Sequence, residues 1–255
     1  MSNSIRTESR EEYAAKHSAT QIADRLEEGP GSLYLKDFVY GAIDGAVTTF
    51  AVVAGVAGAG LSPGIIIILG FANLIADGFS MAVSNFLGTR SENQYREQTR
   101  KREMDEIDKW PEGEREEIRQ IYASKGFEGE LLEQVVGVIT SDKERWVDVM
   151  IQEEHGMSLH DHDARAAGLA TFVAFIVIGL IPLLPYLLNW VVPGSINGPF
   201  LWSCVMTGIA FLWVGALKAR FINQAWLVGA VETVGIGGAA AAMAYGIGVL
   251  LKGLA

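Results

Sequence analysis

The sequence predicts an all-α, polytopic membrane protein with five transmembrane helices and a cytoplasmic helical metal-binding insertion. Three observations predict this class. Half of the 255 residues are hydrophobic and the mean hydropathy is +0.25, yet the apolar residues fall in blocks with the charges gathered between them. A single soluble core would interleave the two classes at helical or strand period. Five of the blocks, at about 38–60, 64–88, 166–189, 199–217 and 225–251, match the ~20 residues that cross a ~30 Å hydrocarbon core at ~1.5 Å per residue. Residues 89–165, between the second and third blocks, are a different material, with twenty Asp/Glu against twelve Lys/Arg.

In chain order, residues 8–28 read as a weakly amphipathic surface helix that stops at Gly29-Pro30-Gly31. The first 36 residues contain no apolar stretch ahead of a small-residue cleavage site, so the first membrane segment is expected to serve as its own insertion signal. The divisions expected are 1–36 (N-terminal helix and linker), 37–88 (membrane helices one and two), 89–165 (acidic insertion) and 166–255 (membrane helices three to five).

The first two segments form a hairpin around Ser62-Pro63-Gly64 and carry Asp44 and Asp77. An ionised carboxylate in lipid costs at least ~2.5–3.5 kcal/mol, so such groups face a polar path, one another or a ligand. Met81 lies at i+4 from Asp77, on the same helical face. Two acids and a thioether in a membrane hairpin predict a cation pathway. Gly41 with Gly45, and Gly55 with Ala59, have the small-xxx-small spacing that lets helix backbones approach closely, in the hairpin or at a dimer seam.

In the insertion, 89–109 continues segment two outward. Pro111 opens the next helix, with Glu112, Glu114, Glu116 and Glu117 in its first turns, where acids suit the positive end of the helix dipole. That helix ends near Lys125-Gly126, and two more are predicted at 128–139 and 142–155. Beyond Arg165, Pro182 and Pro185 kink or end the third segment, and Pro193-Gly194 marks its loop.

Five spans place the termini on opposite sides. Arg90, Arg96, Arg100, Lys101 and Arg102 follow segment two and Arg165 precedes segment three, whereas the 61–64 turn and the 190–198 loop lack Lys and Arg. By the positive-inside rule the N-terminus and the acidic insertion are cytoplasmic and the C-terminus external.

Glu103 with Glu106, and Glu114 with Glu117, are i,i+3 pairs, each on one face of its helix. Met150 precedes Glu153 by three residues and Glu154 by four. If these helices bundle, carboxylates and a thioether converge. Carboxylates alone suit Mg2+ or Ca2+, and an added thioether shifts preference toward Fe2+ or Mn2+. A merely solvating charge run is the alternative. His155, His160 and His162, in EEHGMSLHDHDAR, read chiefly as a solvated linker at the membrane surface, and His17 as a solvated side chain. Glu232, in segment five, is expected to pair with a polar group near the helix start rather than relay protons, and Cys204 to be a small core residue.

No histidine has Glu three residues before it, which excludes the paired motif of di-iron carboxylate bundles. The sequence has no serine or cysteine nucleophile motif, Walker loop or dinucleotide fingerprint, so no enzyme activity and no cofactor is expected. Any transport must then draw on an ion gradient. The net charge of −10 gives no indication of a nucleic-acid partner.

The motifs DFVYGAIDGAVTTFAVVAGVAGA, NLIADGFSMAVSNFLGTRSE and HDHDARAAGLATFVAFIVIGLIPLLPY, with the Glu-rich insertion, resemble the vacuolar iron transporters over about 37–251. The resemblance implies a homodimer of five-helix protomers that exports cytosolic Fe2+, and often Mn2+, in exchange for protons. It implies a membrane path lined by Asp44 and Met81, with Asp77 in the matching hairpin. It also implies a cytoplasmic metal site of Glu103, Glu106, Glu114, Glu117, Met150 and either Glu153 or Glu154. Plant and fungal members fill vacuoles; without a targeting segment, this chain is expected in a bacterial inner membrane. The rival readings are a proton-coupled carrier for a different metal, such as Mn2+ only, and a non-transporting membrane metal sensor or buffer; the costly carboxylate of Asp44 argues against the sensor.

Overall fold

The structure, a computed structural model, describes residue 14 and residues 17–28, 34–222 and 224–254. Helix α1 (Ala19–Glu28) is the part of the expected N-terminal helix that falls among these; residues 8–13 and the Gly29-Pro30-Gly31 breaker lie outside them. The remaining helices are α2 (Tyr34–Ala59), α3 (Pro63–Lys109), α4 (Pro111–Ser124), α5 (Gly129–Thr140), α6 (Lys143–Glu153), α7 (Ala164–Gly179), α8 (Leu184–Val191), α9 (Pro199–Phe221) and α10 (Trp226–Leu251). No strand occurs among the described residues.

Five helical stretches are long and apolar enough to cross a membrane: α2, α3, 164–191, α9 and α10. The chain is a multi-pass, all-α membrane protein. The third span is broken where its prolines fall. Pro182 sits in a 3₁₀ turn, Ile181–Leu183, and Pro185 opens α8, because neither ring nitrogen can donate to the preceding turn. Helix α9 continues past the end of the 199–217 block through Lys218 and Arg220, and both suit the negative end of the helix.

Helix α2 is the hub of the membrane part. It packs most extensively on α7 and α10, and less on its hairpin partner α3. Gly41 and Gly45 explain the first contact: a Cβ at either would overlap the backbone carbonyl of Thr171 or Phe175 on α7. On the α10 side, a Cβ at Gly248 would overlap the backbone carbonyl of Gly55. The small-residue spacings therefore seat α2 against later helices rather than closing the hairpin. Around them, Ala42, Ala46, Val53, Phe175 and Val214 form a fully buried core.

Helix α3 is one uninterrupted helix of 47 residues. Its first half belongs to the membrane part and its second half is the mast of the acidic domain. There Ile107 packs with Ile118 of α4, Val136 and Ile139 of α5, and Trp146, Val147, Met150 and Ile151 of α6 in a second core. Asp142 caps α6, accepting from the Arg145 amide at 2.8 Å. Asp163 caps α7 in the same way, accepting from the amides of Arg165 and Ala166.

The His160–Asp163 run straps the acidic domain to α3. Asn93 donates to the carbonyl of His162 at 2.7 Å, Arg96 donates to that of His160 at 3.0 Å, and Arg96 also pairs with Asp161. Glu232 is held by Lys218 at 3.0 Å. Cys204 is partly buried against the membrane core.

Candidate metal pathway

Two sets of polar side chains lie along α3, one in the membrane and one in the acidic domain. In the membrane part the set is a ladder at helical spacing. Asn73, Asp77, Met81 and Asn85 succeed one another at i+4 on α3, while Asp37, Asp44 and Thr48 follow one face of α2. The ladder is tied at both ends. Asn73 donates to the Thr48 hydroxyl at 3.3 Å, and that hydroxyl donates to the Asp44 carbonyl at 2.9 Å. Asn85 donates to Asp37 Oδ1 and to the Thr171 hydroxyl, both at 2.8 Å. Between these ties sit Asp44 and Asp77, whose charges are within reach of one another. Asp44 is half-buried, Met81 packs at the edge of the core, and Asp77 is exposed on the single chain.

The residues that sequence reasoning singled out here were the acids and the methionine. Thr48, Asn73, Asn85 and Asp37 were missed, although the i+4 series that places Asn73 and Asn85 beside Asp77 and Met81 was present in the sequence.

In the acidic domain, α3 and α4 bring Glu103, Glu106 and Glu114 together, one oxygen from each lying within 4.8 Å of the others. Glu103 is 2% and Glu114 8% exposed, and Oε2 of Glu114 has no hydrogen-bond partner among the described residues. Burial, then the charges of Glu117, Glu103, Glu106 and Glu154, push the Glu114 carboxyl up to about 7. Glu117 is raised by burial and then by Glu154, Glu103 and Glu106, with His155 opposing. Glu154 is raised by burial and by Glu103, with His155 and Arg102 opposing. Five carboxylates thus share one electrostatic neighbourhood.

The other acids of the domain are mostly neutralised by bases. Glu116 and Glu133 pair with Arg119, Glu144 and Asp148 with Arg100, Asp108 with Lys143, and Glu153 with Lys125. Near the cluster itself the base is Arg102, 3.5 Å from Glu103 and 3.9 Å from Glu106. Glu153 and Glu154 are therefore separated: Glu153 goes to Lys125, while Glu154 joins Glu103 and His155 in a second group within 4.8 Å. Met150 is fully buried in the core that includes Ile107 and Ile118, each one turn beyond Glu103 and Glu114. His155, read from the sequence as part of a solvated linker, instead places Nε2 at 2.8 Å from Glu103 Oε1. Carboxylate oxygens gathered around the buried Glu103 and Glu114, and only partly neutralised by Arg102, can hold a divalent cation, the arrangement that most directly repays the desolvation of the two buried groups.

Most of the chain is similar to known proteins. Residues 35–249 match the model of the VIT family. A vacuolar iron transporter of Toxoplasma gondii is 33% identical over 86% of this chain and 74% of its own length. Vacuolar iron transporter 1 of Oryza sativa subsp. japonica is 31% identical over 84% of this chain and 83% of its own. Vacuolar iron transporter 1 of Arabidopsis thaliana is 32% identical over 83% of each. With a family match that covers almost all of the membrane and acidic parts together, the chain belongs to the VIT family.

Proposed function

We propose that this protein is a transporter, not an enzyme, and that it moves Fe2+, with Mn2+ as a second cargo, out of the cytoplasm in exchange for protons. The observation that carries the reading is the continuity of α3. One rigid helix bears Met81 and Asp77 in the membrane and Glu103 and Glu106 in the acidic domain. Met81 and Glu103 are 22 residues apart, about 33 Å along the axis at ~1.5 Å per residue. The glutamates capture the ion at one end of this mast, and Asp44, Asp77 and Met81 receive it at the other.

Carboxylate oxygen with thioether sulfur suits a borderline transition ion better than Mg2+ or Ca2+. Glu103, Glu106, Glu114, Glu117 and Glu154 supply the capturing oxygens, and Met150 lies beneath them. Glu153 is left to Lys125. Asp44 is neutral when protonated and anionic when it holds the ion, so a single residue exchanges cargo for proton within the membrane.

The Lys/Arg placement supports a cytoplasmic N-terminus and a cytoplasmic acidic domain. The working unit is a homodimer. Ile68, Leu69, Ile75 and Phe79 of α3 are exposed on the single chain, and Asp77 is exposed among them. Such a carboxylate is too costly to leave against lipid, and a second copy would cover it. The relatives named as vacuolar iron transporters support iron as cargo.

Reconstitution in liposomes with an imposed pH gradient tests the proposal. Fe2+ should move against the direction of proton flow, and collapsing the gradient should abolish accumulation. Metal bound at the glutamates without any flux would instead favour a membrane sensor or buffer.

A further inference from the structure

His155 occupies a position that the glutamate site does not account for. It follows the end of α6 just before Gly156, whose φ of 64° turns the chain sharply away. Its Nε2 lies 2.8 Å from Oε1 of the almost fully buried Glu103 and 3.8 Å from Oε2 of Glu154. Two donors each ~2.1 Å from one ion and at right angles sit ~3.0 Å apart, so the His155–Glu103 separation suits neighbouring ligands of one cation. The guanidinium of Arg102 stands on the same spot, 3.4 Å from Nε2 of His155 and 3.5 Å from Oε1 of Glu103. Arg102 is 53% exposed, so it can withdraw to water when another cation arrives.

The buried Glu114, with its unpartnered Oε2, faces the same Glu103 from the opposite group. Glu103 is common to Glu103–Glu106–Glu114 and to Glu103–Glu154–His155. A carboxylate has two oxygens and can serve two ions at once.

We propose that Glu103, Glu154 and His155 form a second cation subsite, bridged through Glu103 to the Glu103–Glu106–Glu114 subsite. In it His155 Nε2 is the one nitrogen ligand. The inference rests on the capture role given to the glutamates above. Its consequence is selectivity. Imidazole suits Fe2+, Co2+ and similar ions better than Mn2+ or Mg2+, which prefer all-oxygen sites. The all-oxygen subsite then accepts Mn2+ readily, and the His155 subsite tilts the pair toward the later ions.

The test uses the purified full-length protein in detergent, titrated with Co2+ and with Mn2+, in parallel with the His155→Gln and His155→Asn variants. Both amides can still donate a hydrogen bond to Glu103, so a merely structural histidine would be replaced without a change in preference. A nitrogen ligand would not be. At an excess of Mn2+ that fills both subsites, the parent should show 14N coupling in the pulsed electron paramagnetic resonance of bound Mn2+, and both variants should lose it. Co2+ affinity should fall about tenfold or more in the variants, with a smaller loss for Mn2+, so that the Co2+/Mn2+ ratio drops. Parent binding without 14N coupling, or an unchanged ratio in both variants, overturns the assignment while leaving the glutamate site standing. Failure of the parent to bind either ion overturns the glutamate site and this subsite with it.

Discussion

Glu153 and Glu154 are adjacent in sequence and divided in space: Glu153 pairs with Lys125, while Glu154 lies beside Glu103 and His155. The division gives the two residues opposite expectations. Glu154→Gln removes a charge from the capture site and should weaken divalent-metal binding about tenfold or more. Glu153→Gln removes only an ion pair at the edge of the domain, of the kind worth ~0–1 kcal/mol, and should leave affinity within about twofold. Isothermal titration of both variants with Mn2+ checks the pair, and equal losses would contradict it.

The raised carboxyl of Glu114 makes capture dependent on pH. Its folded value of about 7 exceeds the ordinary 4.5, so between these limits the folded, metal-free protein holds more protons than the unfolded chain. Stability of the metal-free form should therefore fall as pH rises through that window. Metal affinity should rise over the same window, because the ion displaces the proton. Mn2+ titrations at pH 6 and pH 8, in buffers of different ionisation enthalpy, should show tighter binding at pH 8 and proton release near pH 7. Glu114→Gln should suppress that release. An unchanged release in Glu114→Gln would assign the proton to another group.

Two glycines predict opposite signs for the same substitution. A Cβ at Gly41 meets the Thr171 backbone carbonyl, whereas one at Gly208 in α9 meets nothing within 4 Å. Gly41→Ala should destabilise the membrane part by ~1–3 kcal/mol, since two helix backbones must separate. Gly208→Ala should be neutral or stabilising by up to ~1 kcal/mol through helix propensity. Thermal unfolding in detergent compares them, and a drop of similar size for both would contradict the close packing of α2 on α7.

The placement of Lys and Arg predicts topology. A reporter inserted after residue 125 should be cytoplasmic, and one fused at residue 255 external. Both on one side would contradict five membrane crossings.

Much of this was legible in the sequence because the signals were local. Block hydropathy marked the five spans, and Pro63, Pro111 and Pro199 stand at helix starts as their chemistry requires. The i,i+3 glutamates brought their helices into view before any packing was known. What could not be read was set by contacts between distant segments. Gly41 and Gly45 announced a close approach, but their partner, α7, lies about 130 residues away. Glu153 and Glu154 differ only in which neighbour α6 offers them, Lys125 or Glu103. His155 was obscured by its company: set in a run with His160 and His162 it reads as linker, and its contact with Glu103 joins residues 52 positions apart. Asp163, in the same run, serves as a helix cap.

The most direct test of the pathway is Fe2+ flux in proteoliposomes for Asp44→Asn beside the parent, under an inward-directed proton gradient matched to the proposed exchange. Asparagine keeps the volume, leaves a polar group, and is cheaper in the membrane than an ion, so the variant should fold. Its amide can neither carry the exchanged proton nor supply the anionic ligand, so flux should fall to background while the acidic domain still binds metal. Met81→Leu should reduce Fe2+ flux only partly. Full parental flux in Asp44→Asn would contradict the account.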